Sequence, residues 1–188
     1  AYEKMADCLI AQKKYPEALD FYENILNGFK RKARDYSILG KLHLKLQNYD
    51  TALENLNQAL HENQNNVEDL NNRGRVFIQF KDYREATFDL NNALRINNQY
   101  ADAYASRGLL HLRLNEMEAA KWDLDTALSL NENDALAHLY FGYFYERNGE
   151  FHSKEKALDY FIKAREMGVE ERNIDWIIAE AQRDVGFS

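Results

Sequence analysis

Small residues return along this chain at a fixed step. Ala6, Gly40, Gly74, Gly108 and Gly142 follow one another every thirty-four positions, and Ala18, Ala52, Ala86 and Ala120 keep that step twelve positions downstream. The fifth member of the second series, Ala157, is delayed by three positions. A third series, Ala59, Ala93, Ala127 and Ala164, follows those alanines by seven, with Ile25 in the first copy. Such a period restricts the chain to architectures assembled from one repeated supersecondary unit. Two helices approach closely only where a small residue marks their crossing, and here the crossing must recur in every copy.

Between these sites the apolar residues fall at helical spacing: Ile38, Leu39, Leu42 and Leu46, then Leu53, Leu56 and Leu60. Polar residues surrounding an aromatic, in Gln47-Asn48-Tyr49-Asp50 and Lys81-Asp82-Tyr83-Arg84, mark a turn between two helices. The sole proline, Pro16, falls where a second helix should begin and its missing N–H costs nothing. Eight glycines and one proline in 188 residues are too few for a sandwich or barrel, which favours long helices and an all-α chain.

A formal charge of −7 argues against nucleic acid as a partner. Cys8, the single cysteine, cannot form an internal disulfide and is expected to be a buried small hydrophobe. With no membrane-length apolar run and no secretory leader, membrane insertion is not expected and a reducing, cytoplasmic location is. The chain opens at Ala1-Tyr2 inside a helical pattern, so we expect a fragment of a longer protein with a bare amino-terminal edge.

The chain resembles the tetratricopeptide repeat family. The family's first-helix pattern is approximated by Tyr36-Ile38-Leu39-Gly40-His43, Tyr104-Gly108-His111 and His138-Phe141-Gly142-Tyr145. Its second-helix pattern of alanine and an aromatic four residues on appears in Ala18-Tyr22 and Ala157-Phe161. Leucine replaces the aromatic in Ala52-Leu56, Ala86-Leu90 and Ala120-Leu124, and the family's closing proline is absent from every copy. The resemblance implies an α-α superhelix, a solenoid of antiparallel helix pairs, with five units at 1–32, 33–66, 67–100, 101–134 and 135–171. Residues 172–188, with Trp176, Ile177, Ile178, Ala181 and Val185 on one stripe, form the expected capping helix and tail. The fifth unit, with an insertion within 150–155 and Gly168 after Ala164, looks like a Sel1-like repeat; Ser153 is the expected cap of its second helix.

The residues offer no catalytic constellation. His43, His111 and His138 fall where the family places aromatics, His61 and His152 fall near turns, and no metal, nucleophile or phosphate-loop motif is present. No catalytic, cofactor or metal site is therefore expected. Asparagines gather at the repeat junctions, as in Asn63-Gln64-Asn65-Asn66, and are read as compositional drift. A structural pattern is sharper. Arg73 and Arg107 replace the first-helix leucine, and Asp89 and Asp123 follow them at one common offset, whereas copies with Leu39, Met5 or Phe141 have Asn55, Phe21 or Tyr160 instead. An arginine at a crossing requires a carboxylate, which predicts two ion pairs.

The resemblance further implies a concave groove lined by first helices. Carrying its lining positions onto this sequence gives Arg34, Lys41, Lys45, Asn71 and Arg75, then Leu109, Leu112, Arg113, Leu139, Tyr143 and Arg147. The expected ligand is a protein segment with acidic residues at one end and apolar anchors at the other. The stretch from Leu136 to Tyr145 is apolar all round, so either its neighbouring helices or a partner must cover it. The expected function is a non-catalytic protein–protein interaction module, with a self-associating scaffold as the alternative.

Overall fold

The computed structural model describes residues 2–26, 30–147, 151–169 and 174–184. Among them are eleven α-helices and no strand: α1 (Tyr2–Ala11), α2 (Tyr15–Leu26), α3 (Ala33–Lys45), α4 (Tyr49–Glu62), α5 (Val67–Phe80), α6 (Tyr83–Ile96), α7 (Ala101–Leu114), α8 (Met117–Leu130), α9 (Ala135–Glu146), α10 (Lys154–Glu166) and α11 (Ile174–Asp184). They sort into two compact units, residues 1–96 and 97–188. In the first, α1 packs on α2, α3 on α4 and α5 on α6, while α2 and α4 each also meet the next helix and α3 meets α5. In the second, α7 packs on α8 and α9 on α10; α9 also meets α7 and α8, and α10 meets α11.

The crossings explain the small residues. Gly40, Gly74, Gly108 and Gly142 are all buried. A Cβ on Gly40 would lie 2.7 Å from Leu56 Cγ, one on Gly74 2.9 Å from Leu90 Cγ and one on Gly108 2.7 Å from Leu124 Cδ2, and one on Gly142 would run into the Phe161 ring. Each glycine thus faces the aromatic or leucine that the second helix presents four residues after its alanine. Those alanines, Ala18, Ala52, Ala86 and Ala120, have no exposed surface.

One turn recurs within the helix pairs. Lys13, Gln47, Lys81 and Asn115 keep the same step as the glycines, and each has a left-handed backbone with φ between 57° and 65°. The next N–H then reaches back five residues to a helical carbonyl: Lys14 to Leu9, Asn48 to His43, Asp82 to Phe77 and Glu116 to His111, each at 2.9 Å. This is the six-to-one bond of a Schellman stop, which satisfies a carbonyl that the helix end orphans. Asparagines close other junctions: Asn66 Oδ1 caps α5, accepting from the N–H groups of Glu68 and Asp69, while Asn97 and Asn131 accept from Gln99 and Asn133.

The apolar α9 is covered from within. Its residues Ala137, His138, Leu139, Tyr140, Phe141, Gly142 and Phe144 are buried against α7, α8 and α10. Phe141 stacks on Tyr160 at 4.8 Å and Phe144 meets Phe151 at 5.2 Å, so the described part of the 150–155 insertion adds an aromatic to this packing. Ser153 accepts from Lys156 N–H and caps α10. Ile174 and Ile178 of α11 are buried. The side chains of Trp176 and Ala181, and Val185, lie outside the described residues.

Candidate interaction faces on the first helices

In the first unit, α3 and α5 carry the expected basic residues. Arg34 and Lys45 are exposed, while Lys41 bridges to Glu68 of α5 at 2.5 Å. Beside that bridge Ser37 Oγ donates to Asp69 Oδ2 at 2.6 Å. Asp69 is buried, and burial raises its carboxyl above the ordinary range against the opposing effect of the Ser37 bond. Asn71 is 2% exposed and its Oδ1 has no partner among the described residues. One turn on, Arg75 is half-buried and makes no hydrogen bond or ion pair with any described residue.

In the second unit the basic residues and Tyr143 stay at the surface, but the expected apolar anchors do not. Leu109 is 6% exposed, and Leu112 and Leu139 are 2% each. Each is buried where α7 and α9 meet their neighbouring helices, so none is open to a ligand. Arg113 is exposed, Arg147 Nη1 donates to the Leu112 carbonyl, and half-buried Tyr143 meets the Phe161 ring edge-on at 5.4 Å.

The two ion pairs are formed. Arg73 Nε and Nη2 donate to Asp89 at 2.7 and 2.8 Å, and Arg107 Nε and Nη2 donate to Asp123 at 2.8 Å each. Each guanidinium thus grips its carboxylate bidentately. Both aspartates are 1% exposed. Asp123 Oδ2 also faces His111 Nε2 at 3.4 Å, while His111 Nδ1 meets Glu116. Buried His43 is shifted below its ordinary pKa by that burial, with Glu23 opposing.

The expectation for Cys8 is corrected. Its thiol is exposed and takes a hydrogen bond from Gln12 Nε2. Among the described residues, no three His, Cys, Asp or Glu side chains approach closely enough to hold a metal ion, and no helix is long and apolar enough to cross a membrane.

Two further aromatics stand at the surface of the second helices. Phe88 and Trp122 occupy the same position of successive second helices and are 67% and 60% exposed. The available signal was their column: the other copies place Asp20, Glu54 and Asp159 there.

Helix pairs with small residues at each crossing and one recurrent turn define an all-α solenoid of repeats. Models described as tetratricopeptide repeat match residues 39–102 and 101–134, and the chain belongs to the tetratricopeptide repeat family. Its fold is similar to that of the thermophilic TPR protein TTC0263 of Thermus thermophilus, with a TM-score of 0.79 and 21% identity over 97% of this chain and 100% of that one. A structure of the APC/C hetero-tetramer Cut9-Hcn1 matches with a TM-score of 0.72 and 22% identity over 94% of this chain and 35% of the other. MamA from Desulfovibrio magneticus RS-1 matches with a TM-score of 0.62 and 19% identity over 88% and 92%. No curated protein matches the chain. Repeats of this family generally mediate protein–protein interaction or scaffolding.

Proposed function

We propose that this chain is a non-catalytic docking module, whose first helices hold an acidic segment of a partner protein. The observation that carries this reading is Arg75, a half-buried guanidinium without a partner among the described residues in a chain of net charge −7. A guanidinium offers a planar donor fork to a carboxylate. Arg34, Lys45 and the Glu68-bridged Lys41 of α3 stand on the same unit. On the second unit, Arg113, Tyr143 and Arg147 form the corresponding surface, supported from beneath by Leu109, Leu112 and Leu139. We divide the chain into five repeats at 1–32, 33–66, 67–100, 101–134 and 135–171, followed by a cap at 172–188. The module needs no cofactor, binds no nucleic acid and works in the cytoplasm. Its test is quantitative capture of partners by wild type beside Arg34→Glu/Arg75→Glu. The reading expects partners that wild type retains and the variant loses; equal capture of every partner by both proteins contradicts it.

A second reading, a self-associating scaffold, draws on a cleft of about 710 Å³ at α1 and α2, where Leu9, Pro16, Phe21 and Ile25 line an apolar surface. Light scattering across a concentration series separates the two: a monomer favours docking and an obligate dimer favours the scaffold.

A further inference from the structure

The first unit holds a second uncommitted surface, away from the first-helix face. A cleft of about 590 Å³ opens between α4 and α6, with buried Leu60 and Leu70 among its walls. Its chemistry is graded along α6. At one end stands Phe88, exposed in a register column that is acidic in three other copies. At the other stand exposed Arg95 and, from α4, exposed His61. No carboxylate lines the cleft, and Arg95 has no hydrogen bond or ion pair among the described residues. Arg73 also reaches the cleft but is committed to Asp89 and to Asn57 Oδ1. Asn92 stands between the two ends and Gln64 lies just past the end of α4, and the amides of both make no hydrogen bond among the described residues.

We propose that this cleft binds an extended acidic peptide carrying one apolar anchor residue. Phe88 takes the anchor, Arg95 takes the carboxylate, and the free side-chain amides, which both donate and accept, pair with the peptide backbone. The charge is complementary: a lining without carboxylates, in an acidic chain, selects an acidic ligand. Seven residues separate Phe88 from Arg95 on one helix, about 10 Å of rise, which an extended peptide spans in about three residues. Anchor and carboxylate should therefore stand about three positions apart in the ligand. The surface is independent of the docking face around Arg75.

The test is selection of the full chain against a random heptapeptide phage library, followed by affinity measurement on the synthetic consensus peptide. The expected consensus pairs an apolar residue with Asp or Glu about three positions away. Phe88→Ser should weaken its binding roughly tenfold or more, the loss expected on removing an aromatic contact. Arg95→Glu should weaken it comparably, and selection on that variant should return Lys or Arg in place of the acid. Arg75→Glu should bind the consensus peptide like wild type. Because both cleft residues are exposed, the variants should retain wild-type circular dichroism. Failure to enrich any consensus overturns the proposal, as does a consensus peptide indifferent to Phe88→Ser and Arg95→Glu. A peptide lost only in Arg75→Glu overturns it too, by placing the ligand on the first helices.

Discussion

Asp123 accepts two hydrogen bonds from a single guanidinium at 2.8 Å while only 1% exposed, so removing the aspartate strands the arginine at the crossing. Removing Asp123 alone should cost about 3 kcal/mol, at the low end for a broken buried pair because the Arg107 side chain keeps 21% exposure to water. Replacing both residues with leucine should recover much of the loss. A denaturant-based double-mutant cycle measures this, and absence of coupling would remove the pair from the account. The glycine crossings make a second comparison at this scale. Alanine at any of them gains about 1 kcal/mol of helix propensity, but overpacking costs roughly 1–3 kcal/mol. Gly74 faces the single branch carbon of Leu90, Cγ, at 2.9 Å, with its Cδ2 further off at 3.1 Å, whereas Gly142 faces the flat Phe161 ring at closer range, and that ring is itself packed against Tyr143. Gly142→Ala should therefore melt below Gly74→Ala, and the reverse order would refute the packing at the fifth crossing. Both features were legible in the sequence, because arginine and aspartate change together across the copies and the glycines keep one step. The exposure of Cys8 was not: a lone cysteine carries no sign of which helix face it occupies.

Each helix end is a separate problem in hydrogen bonding. The turn residues Lys13, Gln47, Lys81 and Asn115 share a left-handed backbone, yet only Asn115 is a residue type that favours it. The recurrent stop was therefore visible as a polar turn but not as a Schellman geometry. Composition alone reads the junction asparagines as drift, whereas Asn66, Asn97 and Asn131 hold the backbone there. At the start of α9 the cap is Asp134, whose Oδ1 accepts from Leu136 and Ala137 N–H groups while its buried Oδ2 has no partner among the described residues. Burial raises its pKa, opposed by the Ala137 bond, and nearby Asp102 raises it further. The folded chain thus holds this proton more tightly than the unfolded chain, and stability falls as pH rises from the ordinary aspartate range through the raised value. Asn keeps the capping oxygen and removes the charge. The melting difference between Asp134→Asn and wild type should shift in the variant's favour from about pH 4 to pH 7. A difference independent of pH would contradict a charged, desolvated cap.

For the whole molecule, the repeat made the fold legible: five spaced copies identify a helix-pair solenoid more surely than any single motif. The candidate surface was legible only in its charged part. Basic residues at first-helix positions remain at the surface because they cannot be buried unpaired, whereas Leu109, Leu112 and Leu139 are buried where α7 and α9 meet their neighbouring helices. Nothing in one copy distinguishes a leucine that faces a ligand from one that faces the neighbouring repeat. Recognition on these faces therefore rests on charge, and above all on Arg75. Exposed charges chiefly govern the rate of encounter and are screened by salt. The most direct test is the association rate of a captured partner with wild type and with Arg75→Glu across ionic strength. The variant should associate more slowly at low salt, with the two rates converging as salt is raised; identical rates at every salt concentration would contradict docking at this face.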